Sequence, residues 1–405
     1  MKISMPVVIM FCGLSTAVNP ALAQTWTQTS APNEYRLSIA SSADGSKLVA
    51  LGFAPIYAST NSGATWIQIT DPAGPVDSLF FVTMSSDGNK LAATTAGGFI
   101  YTSTNFGLTW VSNSVPTLNL ISIASSADGD KLVVVTGVKT RFSLMPETNG
   151  PIYVSTNSGT TWTMSGAPTN YWSCVASSAD GTKLAAGTLG ATYQDYYWYR
   201  GLIYVSTNSG TTWTRTSAPT NAWACIASSA DGTKLAAVAS GASIYTSADS
   251  GATWRSNNVP DGDWIAVASS ADGSKLVAEV LDGPIYTSTD SGVTWVSNNV
   301  PPTSWSAVAS SADGSRLTAA AGLFSSGPIF VSDSAPAPQV SIASKNGKLT
   351  LSWIVPSTNF VLQQSPDLSS WTDVTDTPAL NLTYLQDEVT LTPINSSGFY
   401  RLMAQ

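Results

Sequence analysis

The sequence predicts an all-β chain in which a seven-bladed β-propeller, closed by its own N-terminal strand, precedes a small β-sandwich. Three observations carry this prediction. First, Asp44, Asp87, Asp128, Asp180, Asp231, Asp272 and Asp313 each precede a Gly in a Ser-rich turn, with a shortest spacing of 41 residues. Second, another motif alternates with that turn: STNSGATW at Ser59–Trp66, STNFGLTW at Ser103–Trp110, STNSGTTW at Ser155–Trp162 and Ser206–Trp213, SADSGATW at Ser247–Trp254 and STDSGVTW at Ser288–Trp295. A period of about 40 to 45 residues with four short strands is that of a propeller blade. Third, the two ends of the repeat are complementary halves.

Within a unit, Trp264–Ala268 runs into the Asp272-Gly273 turn, followed by Lys275–Ala278, Pro284–Thr287, the second turn and Thr294–Val296. These are strands A, B, C and D of an antiparallel meander. Asp-Gly and Asn/Asp-x-Gly suit tight hairpins, because Gly accepts positive φ and Asp or Asn bonds its own backbone. Strands A and B are apolar on both faces, as a sheet packed between two neighbours requires. Strand D is polar, as in Thr212–Thr216, which suits an outer edge.

The seventh unit has strand A from Trp305, strand B from Arg316 and strand C at Ile329–Val331, and its second turn then breaks off at Ser332-Asp333-Ser334. Thr25-Trp26-Thr27 matches Thr294-Trp295-Val296, and Trp26 precedes Asp44 by 18 residues, as Trp295 precedes Asp313. Residues 24–31 are therefore predicted to supply strand D of the seventh blade, leaving no unpaired edge.

The second motif reads S/T-x-D/N-x-G-x-T-W and resembles the Asp-box of the BNR-repeat propellers. That superfamily includes sialidases, xyloglucan-active hydrolases, sortilin-type receptors and photosystem II assembly factors. The resemblance covers residues 24 to 335 and implies a structural hairpin on the outer side of each blade, away from the active face. The box carboxylates are then structural. A sialidase would need three converging Arg, a Tyr–Glu pair and an acid/base Asp. Those motifs are not found, and Tyr35-Arg36-Leu37-Ser38 only faintly echoes the sialidase Arg-Ile-Pro signature. Xyloglucan-type enzymes place their acids between tandem propellers, whereas one propeller is predicted here.

At the N-terminus, Lys2, the apolar stretch Pro6–Cys12 and Ala21-Leu22-Ala23 make the pattern of a secretory signal peptide over residues 1–23, and that stretch is too short to span a bilayer. The expectation is an exported chain from Gln24, periplasmic, extracellular or held at the cell surface, monomeric, with no membrane insertion after cleavage. Only 10% of residues are charged, and the net charge of −8 becomes about −9 without Lys2. This gives no electrostatic footprint for nucleic acid. The chain contains no His, which excludes His metal sites and His-dependent triads. No cofactor and no metal are expected.

Beyond the propeller (24–335), Pro336-Ala337-Pro338 reads as a stiff linker. Residues 339–405 alternate in β fashion (Lys348–Trp353, Phe360–Gln363, Trp371–Val374, Val389–Leu391, Phe399–Leu402) and look like the fibronectin- or immunoglobulin-like modules that space or anchor exported proteins.

Breaks in the repeat point to a site. From the turn Asp to the strand-C Ile the interval is 12 or 13 residues in blades 1, 2, 5 and 6, but 24 in blade 3 and 23 in blade 4. The extra residues lie in the B–C loops, which share a rim with the D–A loops. The blade 4 insertion contains Tyr193-Gln194-Asp195-Tyr196-Tyr197-Trp198-Tyr199-Arg200. Such rings stack on sugars, fill a protein interface, or simply brace a long loop. Arg141 and Phe142 of blade 3 form a candidate facing wall. Strand A opens with Trp172, Trp223, Trp264 and Trp305 in the last four blades, read as packing between blades, but with Leu79 and Leu120 in two others and Arg36 in the first. Arg36 calls for water, Glu34, or an anionic ligand near the channel mouth. Cys174 and Cys225 hold equivalent strand-A places, too far apart on adjacent blades for good disulfide geometry, and are expected as buried thiols.

No catalytic pair is nominated. Glu34, Asp71, Asp77, Glu147, Asp195, Asp261, Asp263 and Asp282 are rim acids, and Asp261-Gly262-Asp263 is too short a motif to specify Ca²⁺. The function expected is a non-catalytic propeller that binds an extracellular glycan or protein through the long-looped face. The alternatives are a glycoside hydrolase or lyase using rim carboxylates, and a cell-surface scaffold.

Overall fold

A computed structural model describes residues 24–333 and 341–404, apart from short stretches within each, among them 73–78, 116–118, 140–145, 194–195, 198–200, 355–359, 366–371 and 392–398. The leader (1–23) and the linker (336–338) lie outside the described residues. Among the described residues no helix is long and apolar enough to cross a membrane.

The chain is all-β. Blades 1, 2, 3, 4 and 7 are separate four-stranded antiparallel sheets, while blades 5 and 6 join into one sheet of eight strands. Blade 1 sets the pattern, with strand A at Arg36–Ser41, B at Leu48–Gly52, C at Ile56–Ser59 and D at Ile67–Ile69. Strand B is buried throughout, because it packs against neighbouring blades on both faces. Strand D is shorter than the sequence suggests. In blade 4 it is Thr214–Arg215, because Thr212 N–H donates to Asn208 Oδ1 inside the turn and is withdrawn from the ladder.

Closure occurs where the two ends of the repeat match. Thr27–Gln28 pairs antiparallel with Ile329–Asp333 through Thr27↔Val331 and Gln28↔Phe330, and Thr29 N–H donates to Ile329 O at 2.9 Å. Trp26 packs against the cluster of Val277, Trp305 and Phe330.

A second closure lies at the A–B turns. Ala43, Ser86, Ala127, Ala179, Ala230 and Ala271 each donate a backbone N–H to the equivalent carbonyl of the next blade, and Ala312 donates back to Ala43, all at 2.6–2.8 Å. The alanines of this ring also pack together. A ring of identical turns can satisfy all its backbone groups only if it closes, so the blade number and these bonds support each other.

The four strand-A tryptophans are fully buried wedges. Trp172 packs on Val133 and Ile152 of blade 3, Trp264 on Val238 and Ile244 of blade 5, and Trp305 on Val277 and Ile285 of blade 6. Each meets an aromatic ring of its own strand C at centroid distances of 5.2–5.7 Å: Tyr204, Tyr245, Tyr286 or Phe330.

After residue 341, two antiparallel sheets follow. One contains Ser341–Lys345, Lys348–Ile354, Gln386–Leu391 and Ala379–Asn381, the other Thr372–Asp373, Phe360–Ser365 and Phe399–Ala404. Buried Leu351 and Val389 pair with each other in the first sheet, and buried Leu362 lies in the second.

Candidate functional site

The two rims of the ring differ chemically. On the tight-turn rim, A–B and C–D turns are bonded to each other within a blade, as in Ser62 N–H to Ser46 O and Ser250 N–H to Thr233 O. Each box is a hairpin turn in which two successive residues have positive φ (Ser62 at 57° and Gly63 at 86° in blade 1). This type I′ geometry matches the strand twist and explains the motif's Gly. Gly63 N–H donates to Ser59 Oγ, Thr65 N–H to Asn61 Oδ1, and Trp66 Nε1 to Gly63 O.

The turn carboxylates are occupied in the same way. Asp44 Oδ1 accepts from Ser42 Oγ and Ser46 N–H, and Oδ2 accepts from Ser46 Oγ. Burial alone would raise this carboxyl, but the hydrogen bonds outweigh it and hold the group below the ordinary range. Asp249 is held down chiefly by its bond from Thr253 Oγ1. A lowered carboxylate fixed by its own turn suits architecture, because it holds no proton to donate near neutral pH.

The opposite rim carries the loops. In blade 3, Val138–Lys139 pairs with Pro146–Thr148 beyond strand B, and in blade 4 Thr192–Tyr193 pairs with Tyr196–Tyr197. Both insertions thus contain small hairpins between strands B and C. Tyr193, Tyr196 and Tyr197 lie in the blade 4 hairpin through Thr192↔Tyr197 and Tyr193↔Tyr196. Asp195, Trp198, Tyr199, Arg200, Arg141 and Phe142 lie outside the described residues. The B–C loops tie each blade to the next D–A connection, through the bridges Gly150↔Asn170, Gly201↔Asn221 and Glu34↔Gly327. Blade 5 does the same with a strand: Leu235–Ala242 continues past its blade and pairs Ser240↔Asp263 with blade 6.

Arg36 lies inside this rim. It is 1% exposed and occupies the place that Trp holds in the last four blades, with its guanidinium 5.3 Å from the centroid of the Tyr57 ring. An Arg plane replaces an indole there through cation–π contact. One terminal nitrogen donates to Pro32 O at 2.5 Å, while Nε has no partner. Desolvation lowers its pKa to about 10, so it remains a cation at neutral pH.

Of the rim acids, Asp263 accepts from Ser240 Oγ at 2.7 Å and Asp282 from Ser304 Oγ at 2.8 Å. No group of three His, Cys, Asp or Glu able to hold a metal occurs among the described residues. Cys174 and Cys225 are free. Burial pushes the Cys174 thiol up to about 12 and raises that of Cys225, so both are protonated, unreactive thiols.

A second group of rim aromatics emerges from the structure. Tyr35 (45% exposed), Phe53 (40%), Phe99 (46%) and Phe324 (57%) lie on the loop-bearing rim of blades 7, 1 and 2. Phe53 meets Phe80 edge to face at 5.4 Å across the boundary between blades 1 and 2. Comparing loop lengths misses these residues, because their blades have ordinary spacing. Their signal is residue type alone, an aromatic in a short exposed loop.

No family model matches this chain, and no curated protein matches it. The fold is nevertheless similar to solved structures. The first, YCF48 from Cyanidioschyzon merolae, is 15% identical, with a TM-score of 0.55 over 77% of this chain and 98% of that one. The second, described as YCF48 bound to D1 peptide, is 14% identical, with a TM-score of 0.56 over 78% and 99% of the two chains. At such identity the likeness shows the fold: a β-propeller made of repeated four-stranded sheets and closed by its N-terminal strand.

Proposed function

We propose that this chain is an exported, non-catalytic propeller that binds an extended polypeptide across the face bearing the long B–C loops of blades 3 and 4. The observation that carries this reading is the asymmetry of the rims. The tight-turn rim spends its polar groups on its own turns, while the loop-bearing rim displays Tyr35, Phe53, Phe99 and Phe324 and carries the Tyr193–Arg200 insertion. Exposed aromatic rings on a rigid frame suit a peptide, whose side chains fill gaps between rings while its main chain finds polar partners. That a propeller of this fold has been solved with a peptide bound supports the same reading. The C-terminal strands, 339–405, serve as a spacer or anchor, and cleavage after Ala23 frees the closing strand to dock.

The test is display selection of extended peptides against residues 24–405, followed by affinity measurement on Phe53→Ser/Phe324→Ser and on Tyr196→Ala/Tyr197→Ala. Loss of at least tenfold in either double variant, with unchanged thermal unfolding, supports the site. Full affinity in both refutes it. A glycan is the second reading, favoured by the density of Tyr and Trp in the blade 4 insertion, including Trp198 and Tyr199. Glycan-array hits that vanish in the Tyr196, Tyr197 and Trp198 triple-alanine variant would establish it, and release of product from polysaccharide would turn the reading to hydrolase or lyase.

A further inference from the structure

On the tight-turn rim, the blades enclose equivalent clefts between the strand-B Lys of one blade and the box of the next. Those between blades 2 and 3 and between blades 4 and 5 hold only about 10 Å³ each. The cleft between blades 5 and 6 is an open volume of about 340 Å³, within the size range of small-ligand pockets. Two departures from the repeat occur there. Ala248 lines it where the other two clefts have Thr104 and Thr207, removing a branched side chain from the wall. Arg255 opens strand D where the other blades have Ile67, Val111, Thr163, Thr214 and Val296.

The result is a cleft with two cations, Lys234 and Arg255, and no carboxylate among its described lining residues. Lys234 Nζ donates to Ser291 Oγ at 3.3 Å and Arg255 to Asn257 Oδ1 at 3.2 Å, neutral acceptors that leave both charges uncompensated at that contact. Asp272, in the blade 6 turn, feels the Lys234 charge but is fixed by Ser270 and Ser274 and does not line the cleft. The Trp254 indole, whose Nε1 is occupied by Gly251 O, forms an apolar wall.

We propose that this cleft is a binding site for an acidic sugar unit, a carboxylate carried on a polyhydroxylated ring. Arg255 and Lys234 take the carboxylate, Thr246, Ser247 and Thr253 offer hydroxyl partners, and Trp254 meets the ring face. The site lies on the rim opposite the peptide face and is independent of it.

The test uses residues 24–405 and titrates D-glucuronate, D-glucose and inorganic phosphate calorimetrically against wild type, Ala248→Thr and Arg255→Thr. Both substitutions install the residue that blades 3 and 4 carry at the same place, so the fold is kept, and unfolding curves verify this. The expected result is glucuronate binding that weakens at least tenfold in each variant and falls with added salt, with no glucose binding. Phosphate binding as tight as glucuronate, glucuronate binding unchanged in both variants, or no glucuronate binding at all would each overturn the proposal.

Discussion

Glu279 makes the sharpest prediction, because it breaks a rule of buried charge at a position where its six counterparts do not. It lies in strand B of blade 6, fully buried, and neither carboxylate oxygen has a hydrogen-bond partner. Its equivalents are Leu51, Thr94, Val135, Gly187, Val238 and Ala320. Desolvation raises its pKa well above 4.5, so the folded state holds it as the neutral acid. Cys225 is the one titratable group whose own shift records the Glu279 charge, and it offers no cation. The sign follows from linkage. An acid raised by folding binds its proton more tightly in the native state, so its contribution is least unfavourable below the unfolded-state value. Stability is then lost as pH rises, at about 1.4 kcal/mol per pH unit until the folded pKa is passed. An unpaired buried neutral carboxyl costs a further ~1–3 kcal/mol at any pH. Glu279→Val installs the residue of blades 3 and 5. Urea unfolding from pH 4 to pH 8 is expected to show the variant more stable throughout, with the gap over wild type widening by about 1.4 kcal/mol per pH unit above about 4.5. Two parallel curves would refute the reasoning, since a partnered or hydrated Glu279 would not produce a widening gap.

Three other outcomes test the architecture. Deleting residues 24–31 removes the closing strand and should lower the melting temperature and expose an aggregating edge, while the same segment transplanted after Asp333 should restore both; an unchanged melt would show that closure does not depend on it. Trp264→Ala should destabilise by about 3–5 kcal/mol in chemical denaturation, the range for emptying a fully buried aromatic site. Arg36→Leu, which installs the residue of blades 2 and 3, should be neutral or stabilising by about 1–4 kcal/mol, because it removes a desolvated charge without leaving a partner charge behind; Arg36→Ala should instead destabilise through the cavity under Tyr57.

The frame was legible in the sequence because repetition averages out local ambiguity. One Asp-Gly turn is a weak signal, but seven at regular spacing leave little freedom, and the match of Trp26 to Trp295 located the closing strand. The strand-A Trp positions were likewise readable as packing between blades. The ring of backbone bonds through Ala43 and Ala312 was not, since it depends on the turns meeting at one axis. Nor was the burial of Arg36: a charged residue among apolar equivalents suggests a ligand, whereas the structure lays its guanidinium over Tyr57. The exposed Phe53 and Phe324 escaped notice because a propeller needs nothing of those places and the loop lengths there are ordinary.

That last point separates scaffold from function within the chain. A substitution at a position every blade uses for packing, such as Arg36 or Glu279, has to be accommodated by the core, and its effect falls on stability. A substitution at a place no blade needs, such as Phe53, Phe324 or Arg255, costs the fold little and changes only what the surface can meet. Exposed aromatics and an uncompensated cation are unfavourable as bare surface, since each invites nonspecific association. Seven similar blades supply the control internally: the chain itself shows which residue the scaffold accepts at each place. Replacing each departure with its counterpart from another blade therefore tests function with the fold held constant, and the loop-bearing rim and the cleft between blades 5 and 6 are where such replacements should alter binding and leave the unfolding curve where it was.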